Sequence, residues 1–121
     1  MKTALIADDN ENVRAALRTL FDRRTDITVV AEAADGSEAI RKAEELKPDL
    51  ILMDLIMPNM SGAGAAAVIK RALPKTQVIL FSLYSDMVGK HLARTLGVDL
   101  VVDKSKGAAG LTEALGPILS Q

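Results

Sequence analysis

The tightest constraint on the fold is the stretch Leu50-Ile51-Leu52-Met53-Asp54-Leu55-Ile56-Met57-Pro58, in which four apolar residues run unbroken into one carboxylate and a proline follows four positions later. A short continuous apolar run reads as a strand buried on both faces, the situation of a central strand in a parallel sheet. Pro58 cannot continue a central ladder, so the strand ends at Asp54. In open α/β sheets the ligand sits outside the carboxyl ends of the strands, where Asp54 would stand. Taken alone, Asp54 reads equally well as a solvated carboxylate in a strand-to-helix loop. The rest of the chain has to decide.

The remaining segments repeat the pattern. Residues 3–7 form a short apolar run closed by Asp8-Asp9-Asn10, a buried strand followed by a helix cap, with Asn10 as the capping residue and Glu11 in the first turn. Val13, Ala16, Leu17, Leu20 and Phe21 then recur at helical spacing. Residues 27–31 are rich in β-branched side chains and predict a second strand. Asp35-Gly36-Ser37-Glu38 reads as a turn with a capping residue before a helix whose stripe is Ala39, Ile40, Ala43 and Leu46, and Lys47-Pro48-Asp49 stops it. An alanine-rich helix is expected from about 63 to 72, and a fourth strand over 77–81 ends at Ser82. A fourth helix over 86–96 would end at Gly97. A fifth strand over 100–102 leads into Asp103-Lys104. Ser105 is expected to cap a last helix, bent or cut short at Gly116-Pro117.

Five strands alternating with five helices predict one α/β domain over residues 1–121: a doubly wound five-stranded parallel sheet of order 2-1-3-4-5 with right-handed crossovers. The chain's 121 residues suffice for a core without staples. Cysteine is absent, which excludes disulfides, thiolate metal sites and thiol nucleophiles. A net charge of −1 gives no footprint for nucleic acid, and Phe21, Phe81 and Tyr84 are too few for a base-stacking platform. No secretory segment precedes Asp8-Asp9 and no apolar run reaches bilayer length. The chain therefore reads as soluble and cytoplasmic, with neither nucleic acid nor membrane as its partner.

In that strand order, strands one, three, four and five end side by side at the topological switch point. They deliver Asp8 and Asp9, Asp54, Ser82 and Lys104 to one edge. Singly, each has a plain explanation: helix-capping acids, a turn serine and a solvated lysine. Together they suit one chemistry. Clustered carboxylates repel one another and invite a hard divalent cation, and Mg²⁺ favours carboxylates, waters and a phosphate oxygen. A carboxylate beside it can attack phosphorus to give an acyl phosphate. A lysine and a hydroxyl supply the positioning and charge neutralisation on which phosphoryl transfer depends.

On the segments Leu5-Ile6-Ala7-Asp8-Asp9, Asp54 to Pro58, Phe81-Ser82 and Asp103-Lys104, the chain resembles the response-regulator receiver domains of two-component signalling, the CheY-like (βα)5 family, and its early segments resemble receivers of LuxR/NarL-type regulators. The resemblance implies that Asp54 accepts a phosphoryl group from a phosphohistidine on a sensor histidine kinase or phosphotransfer protein. It implies Mg²⁺ as cofactor, held by Asp8, Asp9, Asp54 and the backbone carbonyl of Ile56, with Asp9 a direct ligand. Ser82 and Lys104 would each meet a phosphoryl oxygen. The protein would be a switch that assists its own phosphorylation and hydrolysis, without turning over an external substrate. Modification would draw the Ser82 loop inward and alter the face formed by the fourth helix, fifth strand and fifth helix. An output domain or partner protein would read it. The chain fits a stand-alone regulator and an excised receiver alike, and dimerisation through the last helix or the fourth-helix face stays open.

One departure stands out. Receivers usually carry an aromatic three residues before the lysine, where this chain has the stiff, ringless Val101. This favours an alternative, a receiver-like interaction module that is never phosphorylated, which the full acid, hydroxyl and lysine set opposes. Tyr84 and Ile56 are expected to hinder the water that hydrolyses the acyl phosphate. Gly62-Ala63-Gly64-Ala65-Ala66-Ala67 matches a loose dinucleotide fingerprint, but it follows no strand directly and reads as close helix packing. His91 reads as an ordinary helical histidine, and Met53, Met57, Met60 and Met87 as core or contact residues. A flavodoxin-like FMN carrier would share the fold, but Asp8-Asp9 would repel the phosphate.

Overall fold

Each apolar run becomes a strand: β1 (Lys2–Ala7), β2 (Ile27–Ala33), β3 (Leu50–Met53), β4 (Gln77–Ser82) and β5 (Leu100–Asp103). The computed structural model describes residues 1–82 and 95–120, with the Ser82 side chain left undescribed. The strands make one parallel sheet in the order β2-β1-β3-β4-β5. Sequence expectation and structure agree on both the class and the strand order.

Helices α1 (Glu11–Asp22), α2 (Gly36–Leu46) and α3 (Gly62–Ala72) start at side-chain caps. Asn10 accepts from the amides of Asn12 and Val13, Asp35 from Glu38, and Ser61 from Gly64, so each satisfies an amide that the helix itself leaves unpaired. On one face of the sheet, Leu5, Ala7, Ile51, Met53, Val78 and Leu80 pack against Ala39 and Ala43 of α2 and Ala65, Ala66 and Ile69 of α3. On the other, Ala4, Ile6, Leu50, Leu52, Ile79 and Phe81 meet Leu17 and Phe21 of α1 and Leu111, Leu115 and Ile118 of the C-terminal helix (Gly107–Leu119). The alternation within each strand is what burial on both faces requires.

β2 breaks that alternation. Ala4 pairs with Val29 but Leu5 pairs with Ala31, which leaves Val30 as an extra residue. Ile27 and Val29 therefore join the α1 face, while Ala31 and Ala33 join the α2–α3 face. A one-residue bulge swaps the faces of everything beyond it. Glu32 is thereby carried to the side of α1.

Two expectations at the C-terminus are corrected. Ser105 does not cap the last helix; it lies inside a 3₁₀ turn, Lys104–Lys106, and its amide donates to Asp103 Oδ1 at 2.8 Å. Gly107, at φ 65°, then opens the helix, and no side chain caps it. The helix is not cut short at Gly116-Pro117 either, but continues to Leu119 with Pro117 inside it. Pro117 falls in the last turn, and only two helical residues follow it. Of the helix expected over 86–96, only residues 95 and 96 are among those described; both are helical, and Gly97 follows at φ 75°. Tyr84, Met87 and His91 lie outside the described residues.

Candidate functional site

The carboxyl ends of β1, β3 and β5 bring Asp8, Asp9, Asp54 and Lys104 together. Each of the three acids offers an oxygen within 4.8 Å of the others. They differ in setting: Asp8 is 2% exposed, Asp54 is partly buried, and Asp9 faces solvent. Lys104, in the turn that follows β5, reaches across with Nζ 2.8 Å from Asp8 Oδ2 and 3.2 Å from Asp54 Oδ2. The same ammonium lies 5.6 Å from the centroid of the Phe81 ring, a favourable placement for a cation beside an aromatic ring.

These neighbours set the charge states. Burial pushes the Asp54 carboxyl above its ordinary value, Lys104 pulls it back down, and the Asp8 charge adds to the rise. Burial works against the Lys104 ammonium, but its hydrogen bond to Asp8 and the attraction of Asp54 outweigh that and hold it above its ordinary value. Lys104 stays charged, and burial makes Asp54 a reluctant anion.

The backbone around Asp54 is held from below. Its amide donates to the Ala7 carbonyl at 2.9 Å, and the Gly62 amide donates to the Leu55 carbonyl at 2.8 Å. A Cβ on Gly62 would stand 2.0 Å from the Asp54 carbonyl oxygen, so only glycine lets α3 start this close. The alanine-rich stretch is thus a packing device, as its small residues suggest. Further along the loop, Asn59 sits at φ 68° and its Nδ2 donates to Asp35 Oδ2 at 2.9 Å, tying the loop to the cap of α2. Ile56 is 55% exposed beside the cluster, and its amide points toward Asp54 Oδ1 at a long 3.4 Å. Ser82 pairs with Asp103 at the end of β4, which places it at the same edge. Val101 pairs with Leu80 and packs on the α2–α3 side of the sheet.

Three residues escaped the sequence reading: Arg14, Arg18 and Glu32. Arg14 Nη1 donates to the Asp8 carbonyl at 2.6 Å, and its Nε donates to Glu32 Oε1 at 3.1 Å. Arg18 Nε donates to the other Glu32 oxygen at 2.8 Å. A signal existed: two arginines four apart on one helix face repel unless an anion lies between them. Glu32 was hidden because a strand expected to stop at residue 31 gave it no face.

Three acids, one ammonium and a hydroxyl-bearing residue at the ends of four parallel strands match a described domain. The response regulator receiver domain family covers residues 4–116. This chain belongs to that family. The receiver is 40% identical over 111 residues to the response regulator protein VraR of Staphylococcus aureus, an alignment that takes in 92% of this chain and 53% of VraR. It spans about half the length of the curated relatives it matches. Among solved structures, a LuxR-family two-component response regulator from an Aurantimonas species superimposes with a TM-score of 0.90 at 33% identity, covering 99% of this chain and 86% of that one. The signal receiver domain of the NarL regulator from Mycobacterium tuberculosis gives 0.87 at 26% identity, covering 98% and 96%. The receiver's relatives are thus LuxR/NarL-type response regulators, proteins of signalling switches. No described helix is long and apolar enough to cross a membrane.

Proposed function

We propose that residues 1–121 act as a phosphorylatable receiver in which Asp54 accepts a phosphoryl group, with Mg²⁺ as cofactor, from a phosphohistidine on a sensor histidine kinase or phosphotransfer protein in the cytoplasm. The observation that carries the reading is the single cluster of Asp8, Asp9 and Asp54 oxygens with Lys104 Nζ bridging two of the acids. The donor set fits the cation: all oxygen, strongly anionic, and open to water at Asp9. Asp8, Asp9, Asp54 and the Ile56 carbonyl would hold it. Bound there, Mg²⁺ supplies the charge neutralisation that a phosphoryl group brought up to three carboxylates needs.

The chain's own residues do the rest. An ionised Asp54 oxygen attacks phosphorus; the new O–P bond forms as the N–P bond of the donor histidine breaks. Lys104 already stands 3.2 Å from Asp54 and turns to a phosphoryl oxygen when the carboxylate is phosphorylated. Ser82 donates to another. Ile56, exposed beside Asp54, hinders the water that hydrolyses the acyl phosphate, a part the sequence also gives to Tyr84. Movement of the Ser82 loop alters the outer face read by an output domain or partner protein. Val101 supplies no swinging ring, so that movement is read through packing, not aromatic rotation. Val101 is also the one feature that favours a module which binds partners without phosphorylation.

Intact-mass spectrometry after incubation with Mg²⁺ and acetyl phosphate separates the two readings. A single phosphoryl adduct is expected on the wild type, absent in Asp54→Asn and absent with EDTA. No adduct on a wild type that binds Mg²⁺ would favour the unphosphorylated module.

A further inference from the structure

We infer that Arg14 is a positioning residue for the acidic pair: clamped by Glu32, it pins the Asp8 carbonyl and so sets the geometry in which Asp8 and Asp9 meet a cation. The inference rests on the Mg²⁺ reading proposed above.

Every polar atom of Asp8 has a partner. Its amide donates to the Ala33 carbonyl at 3.0 Å, its Oδ1 accepts from the Asn10 amide at 2.9 Å, and its Oδ2 accepts from Lys104 at 2.8 Å. The carbonyl is left to Arg14. That carbonyl belongs to the peptide plane joining Asp8 to Asp9, so fixing its direction fixes how the chain leaves the buried acid for the exposed one. A guanidinium suits the task. It stays charged and reaches two acceptors through a rigid fork, here Asp8 on one side and Glu32 on the other. The Arg14 side chain is only 17% exposed, so water competes poorly for it.

The clamp is itself braced. Glu32 shares its second oxygen with Arg18, its backbone carbonyl accepts from Lys42 Nζ, and the β2 bulge turns it toward α1. Arg14 thus adds positive charge near three repelling carboxylates while leaving their ligand oxygens open, unlike Lys104, which occupies two of them. Partners that orient metal ligands from behind commonly matter about tenfold or more in metal affinity.

Calorimetric titration of Mg²⁺ into the full chain tests this, with thermal melts run alongside. Arg14→Ala is expected to bind Mg²⁺ about tenfold more weakly than wild type. Arg24→Ala removes the same charge from a residue that pairs with Asp26, away from the site, and is expected to bind as wild type does. Phe21→Leu lowers the Tm at the far end of α1 and should leave the affinity intact, which separates stability from positioning. Should Arg14→Ala not fold, Arg14→Gln, which lacks the charge and the fork, carries the same comparison. Affinity in the Arg14 variant equal to that of Arg24→Ala overturns the inference while leaving the Mg²⁺ reading standing. Failure of the wild type itself to bind Mg²⁺ sinks both.

Discussion

The two edges of the sheet use the same residue types to opposite ends. At the amino edge, Asp49 Oδ2 accepts from the Thr3 amide at 2.7 Å, and Asp99 Oδ2 accepts from the Val78 amide at 2.7 Å. Lys70 Nζ donates to the carbonyls of Pro74 and Thr76 and to Asp99 Oδ2, and the buried Thr76 hydroxyl donates to the Pro48 carbonyl. Each carboxylate there meets a backbone donor and staples one strand to the loop before another. At the carboxyl edge three acids crowd around one ammonium. A carboxylate's meaning lies in the donors it is given: paired with amides it holds the fold, and grouped with its own kind it leans on a single ammonium.

Substitutions can break this contrast. The largest loss should come from Gly62→Ala, whose Cβ would meet the Asp54 carbonyl at 2.0 Å. Backbone cannot step aside, so urea unfolding should show a loss of about 3 kcal/mol together with loss of phosphoryl acceptance. Lys70→Met at the amino edge should cost about 2 kcal/mol by leaving three acceptors short, with no effect on Mg²⁺ affinity.

Asp54→Asn should move the other way. Relief of crowding should raise the Tm by a few degrees in metal-free buffer, and Mg²⁺ should close the gap by stabilising only the wild type. The sign with pH follows from burial holding the folded Asp54 carboxyl above its unfolded value. The folded state keeps that proton longer, so wild-type stability falls as pH rises from the ordinary aspartate value of 3.8 through the raised one. The gap between wild type and Asp54→Asn should therefore be smallest in acid and fully open at neutral pH. A Tm difference independent of pH would mean that the acids do not strain the fold. The smallest effect is expected at Lys47, which ends α2 at φ 47°. Lys47→Gly should gain about 0.5 kcal/mol in a melt, since that edge carries no cluster to disturb.

Most of the frame was legible because it is local. Leu50–Met53 is buried on both faces and looks it; Asn10 caps α1 as expected, and Asp35 caps α2 within the turn expected to supply a cap. The gathering of Asp8, Asp9 and Asp54 was legible by the same route, since parallel strands put their ends at one edge and the acids stand directly after β1 and β3. What the sequence hid depends on distance or on counting. The Val30 bulge changes which way Glu32 faces, and no composition signals one extra residue. Arg14 finds Glu32 across eighteen positions. Ser105 looked like a cap because serine before a helix usually is one, but Asp103 took that role for the turn in front.

The ion pair between Lys104 and Asp8 joins residues 96 positions apart. Contacts of such separation form late, after the nearer ones have shortened the path between them. A chain still being synthesised can already hold β1, β3 and all three acids, yet have no ammonium among them. The site thus carries its own proof of completion: the charge that steadies it arrives only with the last strand, and a half-made molecule has the crowd without the keeper.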